Sequence, residues 1–315
     1  MDIRQLQYLV ALARERHFTR AAQSCDVTQP TLSERIRQLE LELGVPIVAR
    51  GQRFHGFTTE GERVLKWAQA ILDNWAALKH EIAQIRDGDD AAAGRLTIGV
   101  VPSALPIAAR LLQALRQRSP NIDLVVLSST SEDIRRSLEE FSIDAGITYL
   151  DNESIDGLLS RPIYRERYCL FVRSDDPLAG RTSIGWAEAA NHPLALLTGN
   201  MQNRRIIDRA FRTAKASPRT RMETNSLVTL GASVRETGLA TVMPEYMAKT
   251  LAMAEIRAIP LVSPTVEHVV GIVAVDRTPM PSLVTMALET AVQLAANDEA
   301  AAEALAGDEA HALPC

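Results

Sequence analysis

Apolar residues recur at helical spacing from the start of the chain. Ile3, Leu6, Leu9, Val10 and Ala13 make one face, and Phe18, Ala21, Ala22 and Cys25 make a second over barely two turns. A third helix opens at Thr28 with Pro30 in its first turn, where the missing N–H costs nothing. Leu32, Ile36, Leu39 and Leu43 predict one buried stripe along it, with Gly44 as its C-terminal cap and Pro46 beyond. Only Asp26 and Val27 stand clear between the second and third helices, and so short a turn predicts a helix-turn-helix.

The period then changes. Residues 47–58 carry Arg50, Gly51, Arg53 and Gly56 without a helical repeat, which predicts a β-hairpin wing. From Gly61 the helical pattern returns, and Val64, Ala68, Ile71, Trp75, Leu78, Ile82 and Ile85 step alternately by four and three. That is a heptad seam, which predicts pairing with a second copy; a helix packed on its own domain is the competing reading. The run Asp87 to Gly94, with GDDAAAG at its heart, has little to bury and predicts a hinge.

Beyond the hinge the period alternates between two and 3.6. Strands are predicted over 96–101, 122–127, 145–148, 168–173, 194–197, 220–223, 240–243 and 269–275, with helices over 107–118, 134–141, 203–214 and 227–237. This order predicts mainly parallel sheets with ligand contacts at the carboxyl ends of strands. The segment 297–315, rich in Ala, Glu and Asp, is expected to be frayed helix or disorder.

A chain of 315 residues exceeds one comfortable core, so at least two units are expected. The net charge of −5 divides unevenly, about +2 over residues 1–58 and −7 over the rest, a weak pointer to a nucleic-acid-binding end. No run of about 18 apolar residues is free of charge, and Asp2, Arg4, Arg14, Glu15 and Arg16 stand where a signal peptide needs an apolar core, so a cytoplasmic location is expected. Cys25, Cys169 and Cys315 have no metal-ligand or disulfide spacing and are expected to be reduced thiols, with burial favoured over redox sensing for the first two. No GxGxxG, P-loop, GxSxG or HExxH motif occurs, and the six histidines form no evident cluster with acidic residues. No catalysis and no metal are expected.

The run FTRAAQSCDVTQPTLSERIRQLELELGVPIVARGQRFHGFTTEGE, residues 18–62, resembles the DNA-binding domain of LysR-type transcriptional regulators. The ordered set from Phe18, Ala21 and Ala22 through Gln29, Pro30, Leu32 and Ser33 to Glu40, Gly44, Arg50, Thr58 and Gly61 carries the likeness. It extends to chain length, linker helix and the downstream β/α pattern. The resemblance implies a winged helix-turn-helix over 1–58, a dimerising linker helix over 59–88 and a hinge over 89–94. An α/β effector domain like a periplasmic binding protein would follow over 95–296, with subdomain I about 95–162 and 267–296 and subdomain II about 163–266.

By the docking mode of that motif, Thr28, Gln29, Pro30 and Thr31 would meet base edges. Ser33, Arg35 and Arg37 would reach phosphates or bases, and Arg50 and Arg53 on the wing the flanking backbone or minor groove. Glu34 departs from the Arg common in relatives, and Ile47 and Val48 replace their Leu-Phe. The effector site would draw on Ser103, Ser128, Ser129, Thr130 and Thr148, and on Gln202, Asn203 and Asn225 with the neighbouring Gly199 and Ser226. Ser129 with Glu132 also reads as a capping box. Hydroxyls, amides and helix starts together favour a small anion such as a carboxylate. The run over 48–68 is similar to a subgroup linked to formate dehydrogenase genes, which would make the effector formate or another very small carboxylate. The implied partners are promoter DNA, a second copy with dimers pairing into tetramers, a small effector and RNA polymerase, with no membrane and no cofactor. A stand-alone periplasmic-type binding protein is the alternative, and it leaves residues 1–85 without a purpose.

Overall fold

The computed structural model describes residues 1–49, 54–87, 94–151, 157–251 and 255–311. They divide into two compact units, one built on Met1–Ala92 and one on Ala93–Arg136 with Ile143–Cys315.

The first unit holds α1 (Ile3–Glu15), α2 (Phe18–Ser24), α3 (Gln29–Leu43) and α4 (Thr59–Asp87). Asp2 and Gln5 close a capping box on α1. Thr28 caps α3, and Gly44 ends it in the left-handed conformation that glycine adopts without strain. Leu32, Ile36 and Leu39 are buried as expected, whereas Leu43 is 42 % exposed, because the helix has passed the edge of the core before its last turn. The chain then doubles back under side-chain control: Glu40 Oε1 accepts the Ile47 and Val48 N–H groups at 2.7 and 2.9 Å. The described ends of the wing pair antiparallel, Val48 opposite Phe57, while Arg50 and Arg53 lie outside the described residues.

α4 divides the predicted seam. Ala68 is buried, and Val64, Leu65, Ile71 and Leu72 pack with it on Leu6, Leu9, Leu39 and Ile47 of the same unit. Trp75, Leu78 and Ile82 further along are exposed, as is Trp67. Packing on its own domain therefore accounts for the first half of the pattern and leaves Trp75, Leu78 and Ile82 exposed among the described residues. Most of the predicted hinge lies outside the described residues.

The second unit runs β1 (Gly94–Val100), a 3₁₀ turn at Pro102–Ala104, α5 (Leu105–Arg118), β2 (Ile122–Ser128), α6 (Ser131–Glu139), β3 (Ala145–Tyr149) and β4 (Leu158–Arg173). It continues with β5 (Ile184–Gly185), α7 (Trp186–Ala189), β6 (Pro193–Leu197), α8 (Gln202–Thr213), β7 (Arg219–Thr224) and α9 (Leu227–Thr237). Last come β8 (Ala240–Pro244), α10 (Met247–Leu251), β9 (Ile256–Val262), β10 (Glu267–Val275) and α11 (Ser282–His311). The last helix continues to His311, through most of the segment expected to be frayed or disordered.

The strands follow the order β2-β1-β3-β10-β4-β8-β6-β7, with β9 on β4 and β5 on β9. Pairings β1/β2, β1/β3, β6/β7 and β6/β8 are parallel, as helical crossovers require. The expectation of mainly parallel sheets fails at the centre, where β10 runs antiparallel to β3 and β4, and β4 antiparallel to β8 and β9. The cause is the chain's route. β4 leaves the first group of strands and enters the second, β10 returns the other way, and two such strands side by side oppose each other. At that crossing Gly271 leaves no room for a side chain, since an added Cβ would lie 2.3 Å from the Arg161 carbonyl oxygen.

A second glycine fixes the entry to α4. A Cβ on Gly61 would lie 2.0 Å from the Ile47 backbone oxygen, which also accepts the Thr58 N–H at 2.9 Å. We expect Gly61→Ala to cost roughly 1–3 kcal/mol by forcing these backbones apart. Hydrogen exchange at the Thr58 amide reads it directly: that cost corresponds to an acceleration of roughly 5- to 160-fold, and an unchanged rate would show that the joint yields without cost.

Candidate functional site

In the first unit the amino end of α3 presents Thr28, Gln29, Pro30 and Thr31 to solvent, with Arg35 and Arg37 exposed further along the helix and Ser33 half-buried. The Thr28 hydroxyl is committed to the cap, accepting the Thr31 N–H at 3.4 Å and lying 2.8 Å from the Thr31 hydroxyl. Gln29 Nε2 donates to Ser33 Oγ at 2.8 Å, so its amide lies along its own helix and must turn outward to reach a base. Arg37 faces Glu34 at 3.9 Å, an exposed pair that holds the guanidinium only weakly and leaves it able to exchange a carboxylate for a phosphate.

In the second unit the starts of helices converge, as turns after parallel strands do. Ser103, Thr130, Gln202 and Asn203 line one small cavity together with Ser131 and Tyr149. Its volume is about 10 Å³, the room that one water-sized molecule needs. Ser131 donates to the Gln202 side-chain oxygen, tying the start of α6 to the start of α8. Gln202 Nε2 and Asn203 Oδ1, on side chains only 4 % exposed, have no hydrogen-bond partner within the protein. Buried amide atoms are seldom left open, and here both belong to cavity-lining residues.

The remaining expected effector residues stand apart. Ser128 and Asn225 are exposed, and Ser129 is half-buried with its N–H donated to the Val100 carbonyl. Thr148 is buried with its hydroxyl unpartnered, but it is not among the cavity-lining residues. Adjacent strand residues face opposite sides, so with Tyr149 turned to the cavity Thr148 turns away. The cap of α6 also differs from the expected Ser129/Glu132 pair. Thr130 Oγ1 accepts the Asp133 N–H at 3.1 Å and donates to the Asp133 carboxylate at 2.7 Å, a reciprocal arrangement one residue later.

Behind the cavity lies a group of residues that the sequence reading missed. Glu166, 1 % exposed on β4, accepts hydroxyl hydrogens from Tyr149 at 2.6 Å, Tyr168 at 2.9 Å and Tyr164 at 3.1 Å. Asn203 Nδ2 completes the set at 3.4 Å. Burial pushes the Glu166 carboxyl up to about 7, against the opposing pull of these four donors. Burial, reinforced by Glu166, also raises the phenols of Tyr149, Tyr164 and Tyr168 well above their ordinary range, so they stay protonated and serve as donors. The signal was present in the alternation YRERY over 164–168, which puts Tyr164, Glu166 and Tyr168 on one face of a strand.

The thiols lie elsewhere. Cys169 is buried in an apolar cluster and burial raises it to about 12, while Cys25 is half-buried against the helix-turn-helix core. Cys315 lies outside the described residues. Among the described residues no group of three or more His, Cys, Asp or Glu is placed to hold a metal, and no helix is long and apolar enough to cross a membrane.

Comparison with known proteins meets both units. Residues 3–62 match the family model described as the bacterial regulatory helix-turn-helix protein of the lysR family, and residues 89–296 match the LysR substrate binding domain. The DNA-binding transcriptional dual regulator OxyR of Escherichia coli K12 is 30 % identical over 285 residues, covering 90 % of this chain and 92 % of that protein. Full-length OxyR from Pseudomonas aeruginosa superposes with a TM-score of 0.74 at 27 % identity, over 92 % of this chain and 94 % of the other. CbnR, solved with its target DNA, shares the fold with a TM-score of 0.65 at 20 % identity, over 93 % of this chain and all of the other. The chain belongs to the LysR family of transcriptional regulators, with a DNA-binding helix-turn-helix joined to an effector-binding domain.

Proposed function

We propose that the chain acts in the cytoplasm as an oligomeric regulator that reads promoter DNA through α3 and answers to a small effector held non-covalently beside Ser103, Thr130, Gln202 and Asn203. The observation that carries the effector part is the pair of open, buried amide atoms on Gln202 and Asn203 at one cavity. The cavity as it stands has room for one water-sized molecule, so the small anion expected from the sequence, such as a carboxylate, enters only as the side chains that line it move apart. The family match leaves no place for the stand-alone binding protein, and the reading is of a regulator and not of an enzyme. The relatives named above lend no support to the narrower subgroup linked to formate dehydrogenase genes.

Several relatives are hydrogen peroxide-inducible genes activators, which raises redox sensing as a second reading. Of the two described thiols, Cys169 speaks against it. A reactive thiol needs an exposed, electropositive setting that lowers its pKa, whereas Cys169 is buried and raised.

Two experiments test the DNA part. Selection from a random duplex pool should yield a preferred sequence bound with strong salt dependence, and Gln29→Ala should lose roughly 1–3 kcal/mol of discrimination at one base pair while its circular dichroism stays that of the parent. Retention of the full preference would remove Gln29 as a reader. For the oligomer, the seam must be cut where it is exposed, since Ile71 packs within its own unit. Leu78→Asp with Ile82→Asp places uncompensated charge in a buried seam at a cost of several kcal/mol. Sedimentation should then show smaller species, and an unchanged sedimentation coefficient would move the interface off α4.

A further inference from the structure

The path of hydrogens around Glu166 reaches the cavity. Tyr149 has one hydroxyl hydrogen, and it goes to Glu166. The 2.9 Å contact between Tyr149 and Ser103 therefore requires Ser103 to donate, which turns the Ser103 lone pairs outward. Asn203 Nδ2 is likewise drawn inward, donating to Tyr149 at 3.0 Å as well as to Glu166, and its Oδ1 is the end left open. With Glu166 ionised, the cavity thus meets a ligand with acceptors at Ser103 and Asn203, beside a buried negative charge one hydroxyl away. No Lys or Arg lines the cavity. This arrangement repels an anion.

A proton on Glu166 reverses the chain. The carboxyl O–H becomes a donor to a neighbouring phenol oxygen or to the Asn203 amide oxygen. Tyr149 can then give its hydrogen to Ser103, the Ser103 hydroxyl is free to point into the cavity, and the Asn203 amide can turn its N–H outward. The cavity gains two donors, which with the already open Gln202 Nε2 make three for a carboxylate. We infer that the cleft takes up a small monocarboxylate together with one proton, and that Glu166 is the seat of that proton.

The groups facing Glu166 suit this role. They are Tyr149 from β3, Tyr164 and Tyr168 from β4 itself, and Asn203 from α8, all neutral. His268 of β10 stands opposite Glu166 across the sheet, its ring edge-on to Tyr149 at 6.3 Å and its Nδ1 3.2 Å from the Asp151 carboxylate. Tyr246 packs edge-on to Tyr164 at 5.4 Å, and burial with Glu166 nearby raises its phenol far above the physiological range. Burial raises this carboxyl toward neutral pH, so a proton costs less to recruit there than on an ordinary carboxylate.

The inference rests on the cavity being the effector site, and its test leaves the DNA-binding reading untouched. Formate is titrated calorimetrically into the full chain at pH 6 and pH 8, each in two buffers of different ionisation enthalpy. Below the Glu166 pKa the proton is already present, and above it the ligand must bring one. Formate should therefore bind about tenfold more weakly at pH 8 than at pH 6, with uptake approaching one proton at pH 8 and little at pH 6. Glu166→Gln, neutral at both values, should bind equally at each without proton uptake. Wild-type binding without uptake at pH 8 would overturn the inference, and so would linkage that persists in the variant, which would put the proton on another group. Failure of both formate and acetate to bind at pH 6 would overturn it too. The wild-type buffer comparison stands even if the variant does not fold.

Discussion

A carboxyl group buried where one strand passes between two groups of strands is the constraint on which the effector domain turns. Glu166 lies opposite His268 of β10 in the sheet, and two residues later Tyr168 begins the pairing with β8. Burying an ionised carboxylate without partners would be costly, and four hydrogen bonds from neutral donors offset that cost only in part, which is why its pKa stays high. The donors come from β3, β4 and α8, so satisfying this one group fixes the mutual placement of three elements that are far apart in sequence. Tyr149 presents Ser103 to the cavity and Asn203 belongs to both cavity and network. The shape of the site and the solvation of the carboxyl are thus one problem with one solution.

The legible parts of this arrangement were those that local rules control. The turn between α2 and α3, the caps at Thr28 and Gly44 and most of the strands follow from spacing and residue type within a few positions. Ser103, Thr130, Gln202 and Asn203 could be placed together because each begins a helix after a strand, where side chains and free N–H groups converge. The first half of β4 escaped notice because its burial is irregular: it crosses between two strand groups and never presents a clean inward face. β9 was missed too, since its fifth residue is Pro260 and its apolar run is short. Glu166 escaped because a lone acid between arginines reads as a solvated charge, and its burial depends also on Tyr149 from β3 and Asn203 from α8.

The linker helix shows a second limit of periodicity. A heptad pattern reports that one face of a helix is covered, without naming what covers it. In α4 the same face is used twice, first against Leu6, Leu9, Leu39 and Ile47 of its own unit and then, at Trp75, Leu78 and Ile82, exposed among the described residues. The pattern runs through without a break because both uses demand apolar residues at the same spacing. Gly61 and Thr58 fix where the first use begins, the glycine by fitting against Ile47 and the threonine by accepting the Gly61 N–H at 2.9 Å.

The charge of the cavity changes how effector selectivity must be understood. Hydroxyls, amides and helix starts were reason enough to expect an anion, since each can donate. Donor capacity is not donor orientation, and a hydroxyl or amide held by an ionised carboxylate behind it turns its hydrogen away from the ligand. With no cation in the lining, an anion gains only helix dipoles and neutral hydrogen bonds, each modest beside a buried negative charge at close range. The balance can favour the anion only if that charge is removed. A cavity of this composition therefore selects its effector through the state of its second layer, and the groups that decide what binds are Glu166 and Tyr149 as much as the residues a ligand touches.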